Sequence, residues 1–197
     1  MSFYIDLTYK NKRPKDKILS FGLKWDQAGT DVNVNLFAIQ VNKRQEFAFN
    51  QKVIYYNNLK SKDPYFSTRL VKTNNKGRLN SESITANQEI IISDLDKVPD
   101  FINRILYCVA SPDDTPFRDV NNCYLEVIDL RDDLTAIHGV DITNDFPDSN
   151  ACILYEANKV YPDRTKQEFN WELNEKSTNF TSGMYGLLDN QYNEFFK

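Results

Sequence analysis

The fold of this chain is decided by residues 22–37, which read Gly22-Leu23-Lys24-Trp25-Asp26, a short turn at Ala28-Gly29, and Asp31-Val32-Asn33-Val34-Asn35-Leu36-Phe37. Side chains alternate between the two faces of a β-strand. The second half of the stretch therefore has an apolar row and a polar row, which are Val32, Val34 and Leu36 against Asp31, Asn33 and Asn35. The apolar row predicts a face that packs into a core.

The polar row is open to two interpretations. It carries three oxygen donors with one formal negative charge, and calcium is bound in proteins by carboxylates, side-chain amides and backbone carbonyls. It could form one wall of a cation site. It could also be the solvated face of a half-buried antiparallel strand, which is the commoner origin of such alternation.

The composition indicates a globular chain with a substantial core. The 197 residues suit one domain or two small ones, and aromatic residues are abundant, with 13 Phe, 11 Tyr and 2 Trp. The formal net charge of −4 argues against nucleic-acid binding, which favours a basic footprint. No apolar run approaches the length of a membrane span, and the N-terminus lacks the apolar core of a signal peptide. The protein is therefore expected to be cytoplasmic, with reduced thiols at Cys108, Cys123 and Cys152.

Short strands separated by turn residues predict a mainly β protein, a β-sandwich with a C-terminal helix. The strands are predicted at residues 3–9, 18–25, 31–41, 46–50, 53–57, 89–95, 104–110, 123–130, 135–142, 151–160 and 168–173. A helical turn is predicted at 96–102. Apolar residues at helical spacing predict the C-terminal helix over 181–196.

Two segments stand apart from this pattern. Residues 1–17 combine a predicted edge strand with a basic linker, so the sandwich domain is assigned to residues 18–197. Residues 57–86 are polar and poor in periodic apolar side chains, which predicts a long loop without regular structure, either functional or disordered.

Several segments, in this order, resemble the TerD family of tellurium-resistance and general stress proteins. The resemblance spans residues 21–188, and Tyr-Asn-Asn-Leu-Lys-Ser at 56–61 is its most specific piece. The other matching pieces are Gly22-Leu23-Lys24-Trp25-Asp26, Asp31-x-Asn33-x-Asn35-x-Phe37, Asp94-Leu95-Asp96-Lys97-Val98-Pro99, Phe117-x-x-Val120-x-Asn122 and Asp141-Ile142-x-x-Asp145-Phe146.

The resemblance implies a compact β-sandwich that binds calcium through acid-rich loops at one end. It also implies a link to resistance against tellurite, phage and other stresses, without a settled catalytic activity. The residues that it assigns to a metal site are Asp31, Asn33, Asn35, Asn57, Asn58 and Glu89.

Two departures weaken the calcium inference. The family's Asp-x-Asp-x-Ser segment has Asn33 and Asn35 in its later two places, and its Gly-Asp-Asp-Glu loop is reduced to Ala86-Asn87-Gln88-Glu89. Each change from Asp to Asn keeps an oxygen but removes a charge, and calcium affinity follows the ligand charge. The glycine-dense C-terminal motif of the family is reduced as well, to 179–184.

Little in the sequence supports catalysis, so the chain is predicted not to be an enzyme. His138 is the only histidine, and the three cysteines lie in apolar strand contexts. The loop aspartates could bind a second cation, but aspartates in loops more often stabilise turns. They are Asp113, Asp114, Asp119, Asp141, Asp145 and Asp148.

Two hypotheses follow. The first is a non-enzymatic TerD-like stress and tellurite-resistance protein with a weak or degenerate calcium site. The second is a diverged module that has lost calcium and acts in protein–protein assembly. Tyr65 and Phe66, apolar residues in a polar loop, require a cover from a partner or from the fold of the loop itself.

Overall fold

The computed structural model describes residues 4–5, 17–26, 33–42, 53–72, 89–131, 136–161, 169–181 and 183. These residues form eleven strands and one four-residue α-helix, α1 (Ile142–Asp145). The strands are β1 (Tyr4–Ile5), β2 (Ile18–Lys24), β3 (Asn35–Asn42), β4 (Val53–Ile54), β5 (Thr68–Lys72), β6 (Glu89–Asp94), β7 (Ile102–Ala110), β8 (Tyr124–Asp129), β9 (Ala136–Asp141), β10 (Ala151–Val160) and β11 (Asn170–Phe180). Short 3₁₀ turns lie at Leu95–Lys97 and Phe117–Asp119.

The strands pair antiparallel in two sheets. The six-stranded sheet has the order β1-β11-β10-β7-β3-β4, and the five-stranded sheet has the order β5-β6-β2-β8-β9. The largest hydrophobic cluster contains buried residues from both sheets. At its centre Phe21 of β2 stacks on Tyr107 of β7, with 3.6 Å between the ring centroids. The expected β-sandwich is confirmed.

The strand β3, which lies between β7 and the edge strand β4, is buried on both faces. Val34, Leu36 and Ala38 belong to the core between the sheets, as the apolar row predicts. The opposite side is apolar too from Phe37 onwards, where a second cluster, the outer-face cluster, covers the other face of the six-stranded sheet. The outer-face cluster consists of Phe37, Ile39, Val41, Val53, Leu106, Cys108, Ala110, Ala151 and Ile153.

Two predicted segments differ from the structure. Residues 57–86 were expected to lack regular structure, but β5 pairs with β6 from Thr68↔Ser93 to Lys72↔Glu89. The second difference is β11, which was expected to end at residue 173 but continues to Phe180 along β10. In both cases backbone pairing with a strong neighbouring strand decides the structure of a segment whose own sequence is mostly polar.

Some expectations fall outside the described residues. They are the strand at 46–50 and the C-terminal helix over 181–196, apart from Thr181 and Gly183. An N-terminal edge strand is present as β1, which pairs with β11 at Tyr4↔Asn174. The division of the chain at residue 17 stays a prediction. Among the described residues, none forms a helix of the length and hydrophobicity that crossing a membrane requires.

Candidate functional site

Glu89 connects the two sheets. It is the first residue of β6 in the five-stranded sheet, and its side-chain Oε2 accepts a 2.8 Å hydrogen bond from the backbone N–H of Leu36 on β3 of the six-stranded sheet. The residue is 4% exposed. Burial raises the pKa of Glu89, although the Leu36 N–H and the charge of Lys72 act in the opposite direction. The carboxylate thus has a structural role before any ligand is considered.

Lys72 supplies a positive charge next to Glu89. Its Nζ lies 3.6 Å from Glu89 Oε1 and 5.3 Å from the centre of the Tyr56 ring. The side chain of Lys72 is 48% exposed, whereas that of Glu89 is 6% exposed. The ammonium therefore reaches from solvent to the buried carboxylate, and it joins the turn that follows β4 to the start of β6.

The predicted metal residues that the structure describes have different environments. Asn33 is exposed and precedes β3, whereas Asn35 is the first residue of that strand and pairs with Ala110. Asn57 is exposed. Asn58 closes the turn after β4, because its Nδ2 donates to the carbonyl of Val53 at 2.6 Å. Asp31 lies outside the described residues.

The exposed apolar residues concentrate on the segment after β4. Tyr56 and Leu59 are 37% and 49% exposed, and Tyr65 and Phe66 are 67% and 44% exposed. Residues 59–61 run along the outside of β5, where Leu70 N donates to Leu59 O and Ser61 N donates to Thr68 O. The four side chains therefore lie along one edge of the five-stranded sheet.

Asp63 organises the turn that presents Tyr65 and Phe66. Its Oδ1 accepts from the backbone N–H groups of Tyr65 and Ser67, and its Oδ2 accepts from the hydroxyl of Ser67 at 2.8 Å. Partial burial alone would raise the pKa of Asp63, but the hydrogen bonds from Ser61, Ser67 and Tyr65 outweigh it, so the pKa is lowered.

Phe66 holds an unusual backbone conformation within this turn. Its φ is +48°, in the left-handed region where a bulky side chain is disfavoured by about 1–3 kcal/mol. The turn is anchored to the interior on both sides, because Ser61 and Ser67 are buried and Ser61 Oγ accepts from the N–H of Thr68. The surroundings thus maintain a strained turn whose two aromatic rings face solvent.

Comparison with known proteins places this geometry in a family. The TerD domain profile matches residues 4–191. The chain belongs to the TerD domain family. A crystal structure of a homologue of telluride resistance protein (TerD) from Streptomyces coelicolor A3(2) is similar in fold. It has a TM-score of 0.67 and 16% identity, and the match covers 89% of this chain and 97% of that chain.

A second crystal structure, of a protein of unknown function named SAV2460, has a TM-score of 0.64 and 15% identity, with 85% of this chain and 92% of that chain covered. No curated protein matches the chain. The profile match and the shared fold confirm the resemblance to the TerD family.

The described TerD-family residues do not fit a calcium site. Calcium takes six to eight oxygen ligands. Here Glu89 is the one buried acid among the predicted metal residues that the structure describes, and both of its carboxylate oxygens already have partners. Within the ranges that the structure describes, no group of three or more His, Cys, Asp or Glu is arranged to hold a metal ion.

Some of the loop aspartates that the sequence offered as a second cation site have structural partners. Asp141 caps α1 by accepting from the backbone N–H and the Nδ2 of Asn144, at 3.2 and 2.7 Å. Asp148 pairs with Arg118. Asp114 adopts a φ of +55°, a conformation that Asp tolerates better than most residues.

The residues considered for catalysis occupy structural positions. His138 Nδ1 lies 2.5 Å from the hydroxyl of Tyr155, which joins the two sheets. All three cysteines are buried. Burial raises the pKa of Cys123 to about 12 and also raises those of Cys108 and Cys152, so their thiols stay protonated.

Sequence reasoning missed Lys72 and Asp63. The segment Thr68–Lys72 reads Thr-Arg-Leu-Val-Lys, and its β-branched and apolar residues are the sequence signal of a short strand, with Lys72 at its end. For Asp63, the signal is its position among small polar residues, Ser61 and Ser67, a composition typical of turns with side-chain hydrogen bonds.

Proposed function

We propose that this TerD-family protein is a cytoplasmic, non-enzymatic module that contributes to tellurite and stress resistance by binding protein, without a bound calcium ion. The link to tellurite comes from the family and from the homologue of telluride resistance protein that shares its fold. The observation that supports the proposal most strongly is that both carboxylate oxygens of Glu89 have partners. One accepts a hydrogen bond from the Leu36 N–H, and the other lies near the Lys72 ammonium.

The charge balance at Glu89 supports a sandwich that does not require calcium. In a calcium site, acidic side chains require a cation to offset their charge. Here Lys72 provides one positive charge for the one buried acid at the start of β6. Asn33, Asn35, Asn57 and Asn58 add no negative charge that a divalent ion would neutralise.

A thermal melt in chelator and then in millimolar calcium tests this proposal. A ligand at 100 times its dissociation constant stabilises the folded state by about 2.7 kcal/mol, which raises Tm by about 5–10 °C for a chain of this length. We expect no shift of that size. Mass spectrometry under native conditions should find no retained calcium in the same samples.

The competing candidate is a calcium-dependent protein, and the retained buried Glu89 favours it. A calcium-dependent protein should show the full rise in Tm when calcium is added. The variants Asp31→Ala and Glu89→Gln should lose that rise. Such a result would contradict the proposal that the protein functions without calcium. Lys72→Met is the matched variant: it frees Glu89 Oε1, so calcium stabilisation that is present only in Lys72→Met would identify Lys72 as the charge that replaces the ion.

The protein-binding part of the proposal has its own test. The turn at Asp63 displays Tyr65 and Phe66, so we expect Tyr65→Ser to lower tellurite tolerance in a host that depends on this protein. Phe101→Ser removes another exposed aromatic residue, which is 57% exposed and lies on the turn between β6 and β7. It should leave tolerance unchanged. Equal tolerance of all three strains would contradict the proposed role of the turn.

A further inference from the structure

The edge of the five-stranded sheet beyond β5 combines aromatic and basic side chains. Its apolar members are the four exposed residues of the segment after β4, and its basic members are exposed as well. We name this surface the basic–aromatic edge, and it consists of Tyr56, Leu59, Tyr65, Phe66, Lys60, Lys62, Arg69 and Lys72. Lys60 Nζ lies 3.9 Å from the centre of the Phe66 ring, so cations and rings alternate at close range.

The positive charge of this edge exceeds what its own acids balance. Asp63 uses its oxygens within the turn, and Glu89 is buried and contacts only Lys72 among the edge lysines. The chain as a whole has a formal net charge of −4. A local basic surface on an acidic chain favours an acidic surface as its partner.

The same chain carries such a surface in the two loops that precede β8 and follow β9 of that sheet. Residues 111–122 and 141–148 contain Arg118 as their one basic residue and several exposed aspartates, and we name them the acidic lobe. The exposed aspartates are Asp113, Asp114, Asp119, Asp145 and Asp148. Proline rings accompany them at Pro112, Pro116 and Pro147. The lobe includes α1, which directly follows β9, and β9 and β5 are at opposite ends of the strand order.

We propose that the basic–aromatic edge of one molecule binds the acidic lobe of a second copy of this chain. Lysines then meet aspartates, and the rings of Tyr65 and Phe66 meet apolar proline surface. Because the two surfaces differ, the contact is heterologous and leaves one free edge and one free lobe at the ends of each assembly. The inference rests on the proposed protein-binding role and names its partner.

Sedimentation velocity over a range of protein concentrations tests the contact. We expect the wild-type mass to rise above the 23.0 kDa of one chain as concentration increases, and to fall back towards it at high salt. The edge variant, Lys62→Glu with Tyr65→Ser, should stay at one copy. So should the lobe variant, Asp119→Asn with Asp145→Asn. Phe101→Ser is the control, and it should assemble like the wild type.

Mixing the two variants provides the sharper test. The edge variant retains an intact lobe, and the lobe variant retains an intact edge. A heterologous contact therefore predicts a one-to-one dimer in the mixture and nothing larger. Circular dichroism of each variant alone should match the wild type, which shows that loss of assembly is not loss of folding.

Three results would overturn the inference. They are a wild-type chain of one-copy mass at every concentration, assembly of the edge variant by itself, and a mixture that stays at one-copy mass. The tolerance assay separates this failure from that of the proposed function. If the wild type does not assemble but Tyr65→Ser still lowers tellurite tolerance, the edge binds a different protein and the binding role stands.

Discussion

At the scale of single residues, Glu89 determines how the two sheets meet at one end of the sandwich. The N–H of Leu36 is buried, and the carboxylate of Glu89 is its hydrogen-bond partner. Removing that acceptor leaves a buried donor unsatisfied, which costs about 1–3 kcal/mol. This hydrogen bond therefore stabilises the start of β3 more than the ion pair between Glu89 and the half-exposed Lys72 does.

Comparing two substitutions separates these contributions. We expect Glu89→Leu to lower the free energy of unfolding by about 1–3 kcal/mol, because the Leu36 N–H loses its partner. Glu89→Gln should lower it by less, since the amide oxygen can still accept that hydrogen bond. Urea denaturation near pH 7 measures both. If the two variants lose equal stability, the charge of Glu89 stabilises the fold rather than its hydrogen bond to Leu36.

Glu89 also gives the stability a pH dependence. Burial raises the pKa of Glu89 in the folded state above its ordinary value of 4.5, so the unfolded chain releases this proton first. The contribution of Glu89 is fully present below pH 4.5 and is lost as the pH rises through the folded-state pKa. The unfolding free energy of the wild type relative to Glu89→Gln should therefore decrease from pH 4 to pH 7, as measured by urea titrations. A difference that grows with pH would contradict the raised pKa.

Part of the site could be predicted from these residues. The sequence identified Glu89 and the Asn57-Asn58 turn, because the resemblance to the TerD family aligns them. It could not identify the partners of Glu89, because they are 53 and 17 positions away. The backbone N–H of Leu36 meets Glu89 through the packing of the two sheets, and Lys72 meets it through the pairing of β5 with β6.

At the scale of elements, the turn held by Asp63 stores strain and keeps two aromatic rings in place. Asp63→Asn keeps one acceptor oxygen but loses the charge that strengthens its hydrogen bonds to Tyr65 and Ser67. Hydrogen bonds to charged groups contribute about 1.5–3 kcal/mol, so the amides of Tyr65 and Ser67 should exchange about tenfold faster or more. Hydrogen exchange measured by NMR at neutral pH tests this expectation.

The control for this exchange experiment is Asp100→Asn, whose carboxylate is 91% exposed and belongs to another turn. It should leave the exchange of Tyr65 and Ser67 unchanged. Unchanged exchange in Asp63→Asn would mean that pairing of residues 59–61 with β5 holds the turn without the carboxylate.

The three neighbouring strands β7, β10 and β11 share a charged group. Glu156 of β10 is 2% exposed, and its carboxylate contacts Arg104 of β7 at 2.7 Å and Lys176 of β11 at 2.5 Å. We expect Glu156→Ala to lower the free energy of unfolding by about 1–3 kcal/mol, because both cations lose their partner but can still reach water. Urea denaturation measures the loss. Glu172→Ala on β11 is the control. An equal loss of unfolding free energy in that variant would show that Glu156 contributes no more to stability than Glu172 does.

The strands differ in how well their own sequence predicts them. Apolar runs such as Ile90-Ile91-Ile92 in β6 are enough to predict a strand from the local sequence. The same holds for β2, β7, β8 and β10. The polar strand β5 and the second half of β11 depend on their partners, since β5 is paired by β6 and β11 follows β10 to Phe180. Local sequence does not contain that information.

At the scale of the whole molecule, the six-stranded sheet separates two hydrophobic clusters. Cys123 and Cys152 belong to the core between the sheets, and Cys108 belongs to the outer-face cluster. The fold class could be predicted because alternation and turn residues recur along the chain. The outer-face cluster could not be predicted. A strand that is apolar on both faces lacks the alternation of apolar and polar residues that distinguishes the core-facing side from the solvent-facing side.

The three cysteines can report whether the two clusters unfold together. Thiolates react with labelling reagents, and burial raises the pKa of all three thiols, so reaction requires opening of the structure. If the sandwich is one cooperative unit, all three should be modified at one rate, after correction for their rates in the unfolded chain. Partial labelling at low urea, followed by mass spectrometry of the peptides, measures each site. Faster modification of Cys108 would show that the outer-face cluster opens by itself while the core between the sheets stays closed.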